Sequence, residues 1–326
     1  MFWRGEHTFA ELHALGGTAG LYPPVKKTYF VDKLGGGSDS QTGLGSWRNA
    51  KATYQAGVTA ATCADNRYKD VDLIIAPAEY DEQVVVSGVA QGQYSGSTWY
   101  GWRMGRLRII AMGEKVILKN SGASLDSNDT LRICRMKVEL HGGTFRNYTN
   151  TAGSAPGVVG TARTGAFAGV RWERTPYSDT VGDVIGGAMY GCRVEGRDSA
   201  LIGIDIDQAS YVEIVGCKIT GWVHGIHIAQ GPFGYPTDNV VKDCYFKSNS
   251  SADIALGGGY NTLIDNCLFA DDGITTYIVS GATAAYGGRG GTPTDAFATH
   301  CSFNAANING QLHTGIKYVG SMCQDY

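Results

Sequence analysis

Short apolar runs with alternating polarity recur along the second half of the chain and end on a cysteine. Tyr211-Val212-Glu213-Ile214 leads to Gly216-Cys217, Asn239-Val240-Val241 to Asp243-Cys244, and Asn261-Thr262-Leu263-Ile264 to Asn266-Cys267. Each cysteine opens a further alternating segment: Cys192-Arg193-Val194, Cys217-Lys218-Ile219, Cys244-Tyr245-Phe246, Cys267-Leu268-Phe269 and Cys301-Ser302-Phe303. A third strand follows after a corner, as in Gly203-Ile204-Asp205-Ile206-Asp207, Gly225-Ile226-His227-Ile228 and Asp253-Ile254-Ala255-Leu256. The five cysteines are 25, 27, 23 and 34 residues apart. Alternation in steps of two is strand geometry. A motif returning every twenty-odd residues marks a solenoid whose turns lie on one another. Three short strands per turn, divided by Gly, Asn, Asp and Ser corners, predict an all-β parallel β-helix.

The pattern continues upstream with less regularity. Val71–Ile75, Gln83–Val86, Leu107–Ile110, Lys115–Leu118, Leu131–Met136 (containing Cys134) and Gly142–Phe145 read as earlier strands. Residues 147–168 and 281–295, rich in Gly, Ala and Thr, read as loops thrown out from the coil, and solenoid insertions gather on one face. Trp47 to Ala64 has helical composition and is the candidate cap over the first coil, where an open sheet edge would otherwise pair with other chains. The organisation expected is an arm over 1–28 and a β-helix over 29–326, with a capping helix at about 47–64.

Tyr29-Phe30-Val31-Asp32 followed by Gly36-Gly37-Ser38-Asp39-Ser40 and Gly43, together with Ile74-Ile75-Ala76-Pro77-Ala78-Glu79-Tyr80-Asp81-Glu82, resembles the entry and first coil of right-handed β-helix proteins of the pectin-lyase-like class. The resemblance implies a right-handed helix over roughly residues 28–320. The class includes pectate lyases, polygalacturonases, bacteriophage tailspikes and non-enzymatic virion proteins, so the fold does not choose the activity.

Formal net charge is −3, with the basic residues scattered, which speaks against nucleic acid as a partner. No apolar run reaches the length of a membrane span, so no membrane partner is expected. Residues 1–17 lack the basic and apolar regions of a signal peptide. Of eight cysteines, five hold equivalent inward positions about 4.8 Å apart along the stack. Spacing alone leaves bridging open, and stacked thiols of a chain made in a reducing cytoplasm are the expected state. No Cys/His set has zinc spacing, and no phosphate loop or serine elbow is present, so no metal or cofactor is expected.

The candidate catalytic residues are Asp205 and Asp207 on one strand, with Glu195, Asp198 and Glu213 nearby, since paired carboxylates serve as acid and base in glycoside cleavage. His227 falls beside Asp205 if the two Gly-Ile strands stack, and Lys317 occupies the analogous place later. The competing reading is that polar residues at outward strand positions face water. Asp271-Asp272 and Thr237-Asp238-Asn239 are similar to polygalacturonase motifs, but His224-Gly225 precedes both and no Arg-Ile-Lys follows, so that site is not expected.

Tyr94, Trp99, Tyr100 and Trp102 cluster in a Gly/Ser-rich stretch, and Trp172 and Trp222 lie near coil edges. Such aromatics form glycan or protein platforms, or cover a core. Phe2, Trp3, Phe9 and Leu12 make the arm apolar enough to dock, with Pro23-Pro24 as a stiff link. Together these features lead to the expectation of a bacteriophage virion surface protein, a head decoration or tail spike. It would be synthesised in the host cytoplasm, form a homotrimer, and attach to capsid or tail proteins through the arm. Cell-surface polysaccharide is a further candidate partner. The alternative is a polysaccharide lyase or glycoside hydrolase acting on an acidic polysaccharide.

Overall fold

The computed structural model describes residues 26–63, 66, 69–87, 94–95, 98–99, 106–121, 129–134, 136–147, 153–158, 161–165, 168–173, 185–207, 209–229, 236–257, 261–270, 277–281, 296–303, 316–318 and 324–325. Among them the chain winds through three faces, here A, B and C, in that order in each coil from Val71 to Gly281. Face A is a ten-stranded sheet running from Lys27–Val31 through Val71–Ile75, Leu107–Ala111, Val138–His141, Ile185–Tyr190 and Ser210–Val215 to Ile316–Tyr318. Face B begins at Ala78–Asp81, Val116–Asn120 and Thr144–Asn147, and continues through Tyr245–Lys247 and Leu268–Phe269. Face C holds Val84–Ser87, Leu131–Cys134, Ala168–Glu173, Ala252–Gly257 and Tyr277–Gly281. Two long strands, Arg193–Asp207 and Lys218–Ala229, bend from B into C and join the two faces as one sheet. Coil-to-coil pairing is parallel throughout. The chain is a right-handed parallel β-helix.

The corner between A and B explains the cysteine motif. The residue before each ladder cysteine is in the left-handed region: Gly191, Gly216, Asp243, Asn266 and His300, with φ of 60°, 63°, 54°, 51° and 53°. Glycine meets this conformation without a Cβ penalty, and Asn, Asp and His tolerate it better than other residues. The turn then directs the next side chain inward, and Cys192, Cys217, Cys244, Cys267 and Cys301 are all buried. Each thiol donates to main-chain carbonyls, for example Cys192 to Gly142 at 3.1 Å and Cys244 to Lys242 at 3.2 Å. The seven cysteines among the described residues carry free thiols. Bonding to the preceding ladder thiol and burial both push the thiols of Cys217, Cys244, Cys267 and Cys301 upward, which makes them poor nucleophiles. Cys134 is not an earlier rung. It pairs with Ser87 and Glu173 on face C. Gly143 holds the rung below Cys192, since Arg193 N donates to Gly143 O as Lys218 N does to Cys192 O.

Inward rows fill a narrow core, as in Phe145, Val194, Ile219, Phe246 and Phe269 on face B. The last two rings stack at 5.0 Å between centroids. Trp172 and Trp222, for which the sequence leaves both a platform and a core role open, belong to this core, 0% and 1% exposed. Glycines make room for them: a Cβ on Gly187 would lie 2.5 Å from Trp172 Nε1, and one on Gly203 3.1 Å from Trp222. Corner backbone groups are met by buried amides. Asn239 accepts from Val212 N at 2.9 Å, and Asn249 accepts from Trp222 N at 3.1 Å.

The cap is shorter than expected, a 3-10 turn Trp47–Asn49 and helix α1, Tyr54–Ala61. Thr53 caps it by accepting from Ala56 N at 3.2 Å. Glu82, from the first coil, accepts from Tyr54 N at 2.8 Å and Gln55 N at 3.0 Å, placing a carboxylate at the positive end of the helix. Gly57 lets the helix press on the coil, because a Cβ there would lie 2.2 Å from Val31 Cγ2. Part of the span expected as a loop at 147–168 is an antiparallel hairpin, Gly153–Val158 with Thr161–Gly165. Residues 282–295 of the second expected loop lie outside the described residues.

Candidate functional site

Face C carries the candidate chemistry. Its strands repeat a Gly-apolar-X-apolar unit: Gly169-Val170-Arg171-Trp172, Gly203-Ile204-Asp205-Ile206 and Gly225-Ile226-His227-Ile228. The register stacks Arg171 on Asp205 and Asp205 on His227. The flanking Val170, Ile204, Ile206, Ile226 and Ile228 are in the core, so X points away from it. At the glycine the next coil approaches so closely that a Cβ would lie 2.8, 2.5 and 2.6 Å from its carbonyl oxygen at Gly169, Gly203 and Gly225.

Outward direction here does not mean solvent. Arg171 is 5% exposed, Asp205 4%, Asp207 5% and His227 8%. The expectation that outward carboxylates lie open, whether to water or to a substrate, is therefore corrected: this part of face C is covered. Burial forces the charges to pair, because a lone buried ion costs several kcal/mol. Asp205 Oδ2 meets Arg171 Nη1 at 3.3 Å, and Asp205 Oδ1 accepts from His227 Nδ1 at 3.0 Å. Arg171 Nε in turn bonds the buried Asp129 at 3.1 Å, and Asp129 also accepts from Ala168 N at 2.8 Å. The result is a linked row, Asp129, Arg171, Asp205 and His227, laid across successive coils. His224, one turn of the pleat away with its ring 6.2 Å from that of His227, is driven down to about 4 by burial, with His227 adding to the effect.

The remaining candidates are dispersed. Glu213 is on face A, exposed, and accepts from Tyr190 Oη at 3.2 Å. Glu195 is on face B and pairs with Arg146 at 2.7 Å. Lys317 is on face A opposite Phe297, not in the row of His227, because the strand after Cys301 joins a different face from the one expected. Tyr94 and Trp99 are paired by backbone in a small antiparallel bridge. Tyr100 and Trp102, and the arm residues Phe2, Trp3, Phe9 and Leu12, lie outside the described residues. No group of three or more His, Cys, Asp or Glu among the described residues is arranged to hold a metal ion. Arg171 and Asp129 are absent from the sequence candidates; the Gly-apolar-X-apolar repeat contains the signal for Arg171, whereas nothing in the pattern marks Asp129.

Fold and site together define a right-handed parallel β-helix protein in which Asp129, Arg171, Asp205 and His227 are linked across successive coils of face C. The family model for a "Right handed beta helix region" matches residues 187–321. Among solved structures, a pectin methylesterase from carrot aligns at TM-score 0.50 and 13% identity, over 86% of this chain and 78% of that one. Escherichia coli ybhc aligns at TM-score 0.52 and 13% identity, over 93% and 78%. A third, ORF18 of Geobacillus virus E2, has a TM-score of 0.39 at 13% identity, over 83% and 56%, and carries no weight at that score. Identities this low speak to fold alone. No curated protein sequence matches the chain.

Proposed function

We propose that this protein is a structural component of a bacteriophage virion surface, a head decoration or tail spike, in which the β-helix is a rigid shaft and the arm at 1–28 is the attachment device. In this reading the chain is made in the host cytoplasm, assembles as a homotrimer, and docks on capsid or tail proteins through Phe2, Trp3, Phe9 and Leu12. The supporting observation is that the best carboxylate candidate for catalysis is already committed. Asp205 is buried and held from both sides by Arg171 and His227. A general acid or nucleophile must reach substrate, whereas a covered chain of paired charges serves to hold coils in register. Assay against capsular, pectic and alginate polysaccharides, read by reducing ends and unsaturated products, is expected to give no turnover.

The second reading is a polysaccharide lyase or glycoside hydrolase. What favours it is the chemistry of the row itself: a carboxylate, a guanidinium and an imidazole within hydrogen-bond reach are groups that acid–base catalysis uses. Polysaccharide cleavage that Asp205→Asn and Asp207→Asn abolish would establish this reading in place of the first. Glycan binding without turnover would make the outer surface an adhesin and leave the shaft role intact.

A further inference from the structure

The ladder thiols touch one another and yet are not joined. Arg193, Lys218, Tyr245, Leu268 and Ser302 pair in register across successive coils, so the cysteine before each stands directly over the last. Main-chain bonds fix that spacing: Lys218 N to Cys192 O, Tyr245 N to Cys217 O, Leu268 N to Cys244 O and Ser302 N to Cys267 O, all at 2.8–2.9 Å. Each thiol is also turned back on its own strand and donates to the carbonyl two residues earlier, at 3.2–3.5 Å. Cα atoms about 4.8 Å apart lie within disulfide range, but in-register side chains run parallel, so the Cβ atoms are about 4.8 Å apart as well. A disulfide needs about 3.8 Å there. Closing that gap would pull two coils together by about 1 Å against the main-chain bonds that space them. The five thiols are at most 2% exposed. Bonding to the preceding thiol, with burial, keeps Cys217, Cys244, Cys267 and Cys301 protonated, so none of these offers the thiolate that attacks an oxidant.

We infer that the ladder makes folding, and not the folded shaft, the redox-sensitive step. In the unfolded chain the same cysteines are 25, 27, 23 and 34 residues apart. Flexible loops of that length close at little cost, each doubling of length adding only about 0.6 kcal/mol. Two thiols there give up their hydrogens to an oxidant and become a disulfide. Such a bond between neighbouring rungs demands a Cβ separation the coil does not provide. One that skips a rung would have to join Cβ atoms about 9.6 Å apart, twice the coil spacing. The oxidised chain therefore cannot close its coils, whereas the coiled chain no longer offers its thiols. Coil spacing itself imposes the free thiols, so they say nothing of the compartment in which the folded protein works. This holds for a shaft and for an enzyme alike, and its test is separate from those of the proposed function.

The test uses diamide, a diazene that takes up two hydrogens as two thiols become a disulfide, on the full chain in two states. Folded chain is treated, then denatured, alkylated, digested and mapped by mass. Cys192, Cys217, Cys244, Cys267 and Cys301 should all be recovered as thiols, with an unchanged melting temperature. Chain treated while unfolded in urea should lose them to disulfides. When the urea is removed it should regain the cooperative melt in a yield lower by roughly tenfold than the untreated chain, because the cross-linked rungs no longer fit the coil. Dithiothreitol should restore the yield. Cys63→Ser, Cys134→Ala and Cys323→Ser, combined in one chain, confine the oxidation to the ladder and should give the same result; if that chain does not fold, the peptide map of the wild type locates the bonds. Ladder disulfides formed in the folded chain, or a full melt regained by chain whose rungs are cross-linked, would overturn the inference.

Discussion

At the residue scale, side chains on face C show that direction and exposure are separate properties. Alternation in Gly203-Ile204-Asp205-Ile206 was enough to place Asp205 outward, and the repeated unit was enough to set His227 beside it. Burial was not legible, because strand parity says which way a side chain points and nothing about what lies over it. The pairing of Asp129 was not legible either, since it stands outside the repeated unit. The consequence is testable. Asp205→Asn keeps the shape but removes the charge between Arg171 and His227, and should cost about 3 to 5 kcal/mol in urea unfolding. A cost under about 1 kcal/mol would mean that the row does not hold the coils.

His224 gives the same face a pH signature. Burial lowers its folded value to about 4 from 6.5, so the folded chain keeps the ring neutral where the unfolded chain takes up a proton. The stability this neutral ring allows is full above pH 6.5 and is lost as pH falls towards 4. The difference over that window is about 3 kcal/mol. The His224→Leu variant should lack this part of the pH dependence, and melts of both proteins between pH 7 and pH 4 would read it directly. Parallel curves would contradict the assignment.

At the element scale, strands with clean alternation were readable, while others were concealed by residues chosen for their neighbours. Ile185-Gly186-Gly187-Ala188-Met189-Tyr190 has the composition of a loop, yet it is a face-A strand, because Trp172 takes the space a side chain on Gly187 would need. The break expected between the Cys192 and Gly203 strands is an irregularity within one strand, whose register with the next coil shifts between Glu195 and Ala200. The cap depends on a contact that joins two elements far apart in sequence. Glu82 supplies the acceptors for two free N–H groups of α1, so Glu82→Ala should cost about 1 kcal/mol. The loss should appear first as faster hydrogen exchange in Tyr54–Ala61, with the coils beyond the first unaffected. Unchanged exchange in the helix would mean that Thr53 and packing suffice.

At the scale of the whole molecule, a stack of parallel coils with its ladder thiols buried and Asp205 held between Arg171 and His227 is a stiff rod. Rod geometry was legible in the cysteine period; what the rod is for lies in its surfaces and its arm. The central claim is that the β-helix is a shaft held to a particle by residues 1–28. Its most direct test compares the full chain with a chain lacking residues 1–24, by co-sedimentation with the phage particles produced alongside it. The account predicts that the truncated chain melts as the full chain does but remains in the supernatant. Truncated chain that sediments with particles as fully as the intact protein would contradict it.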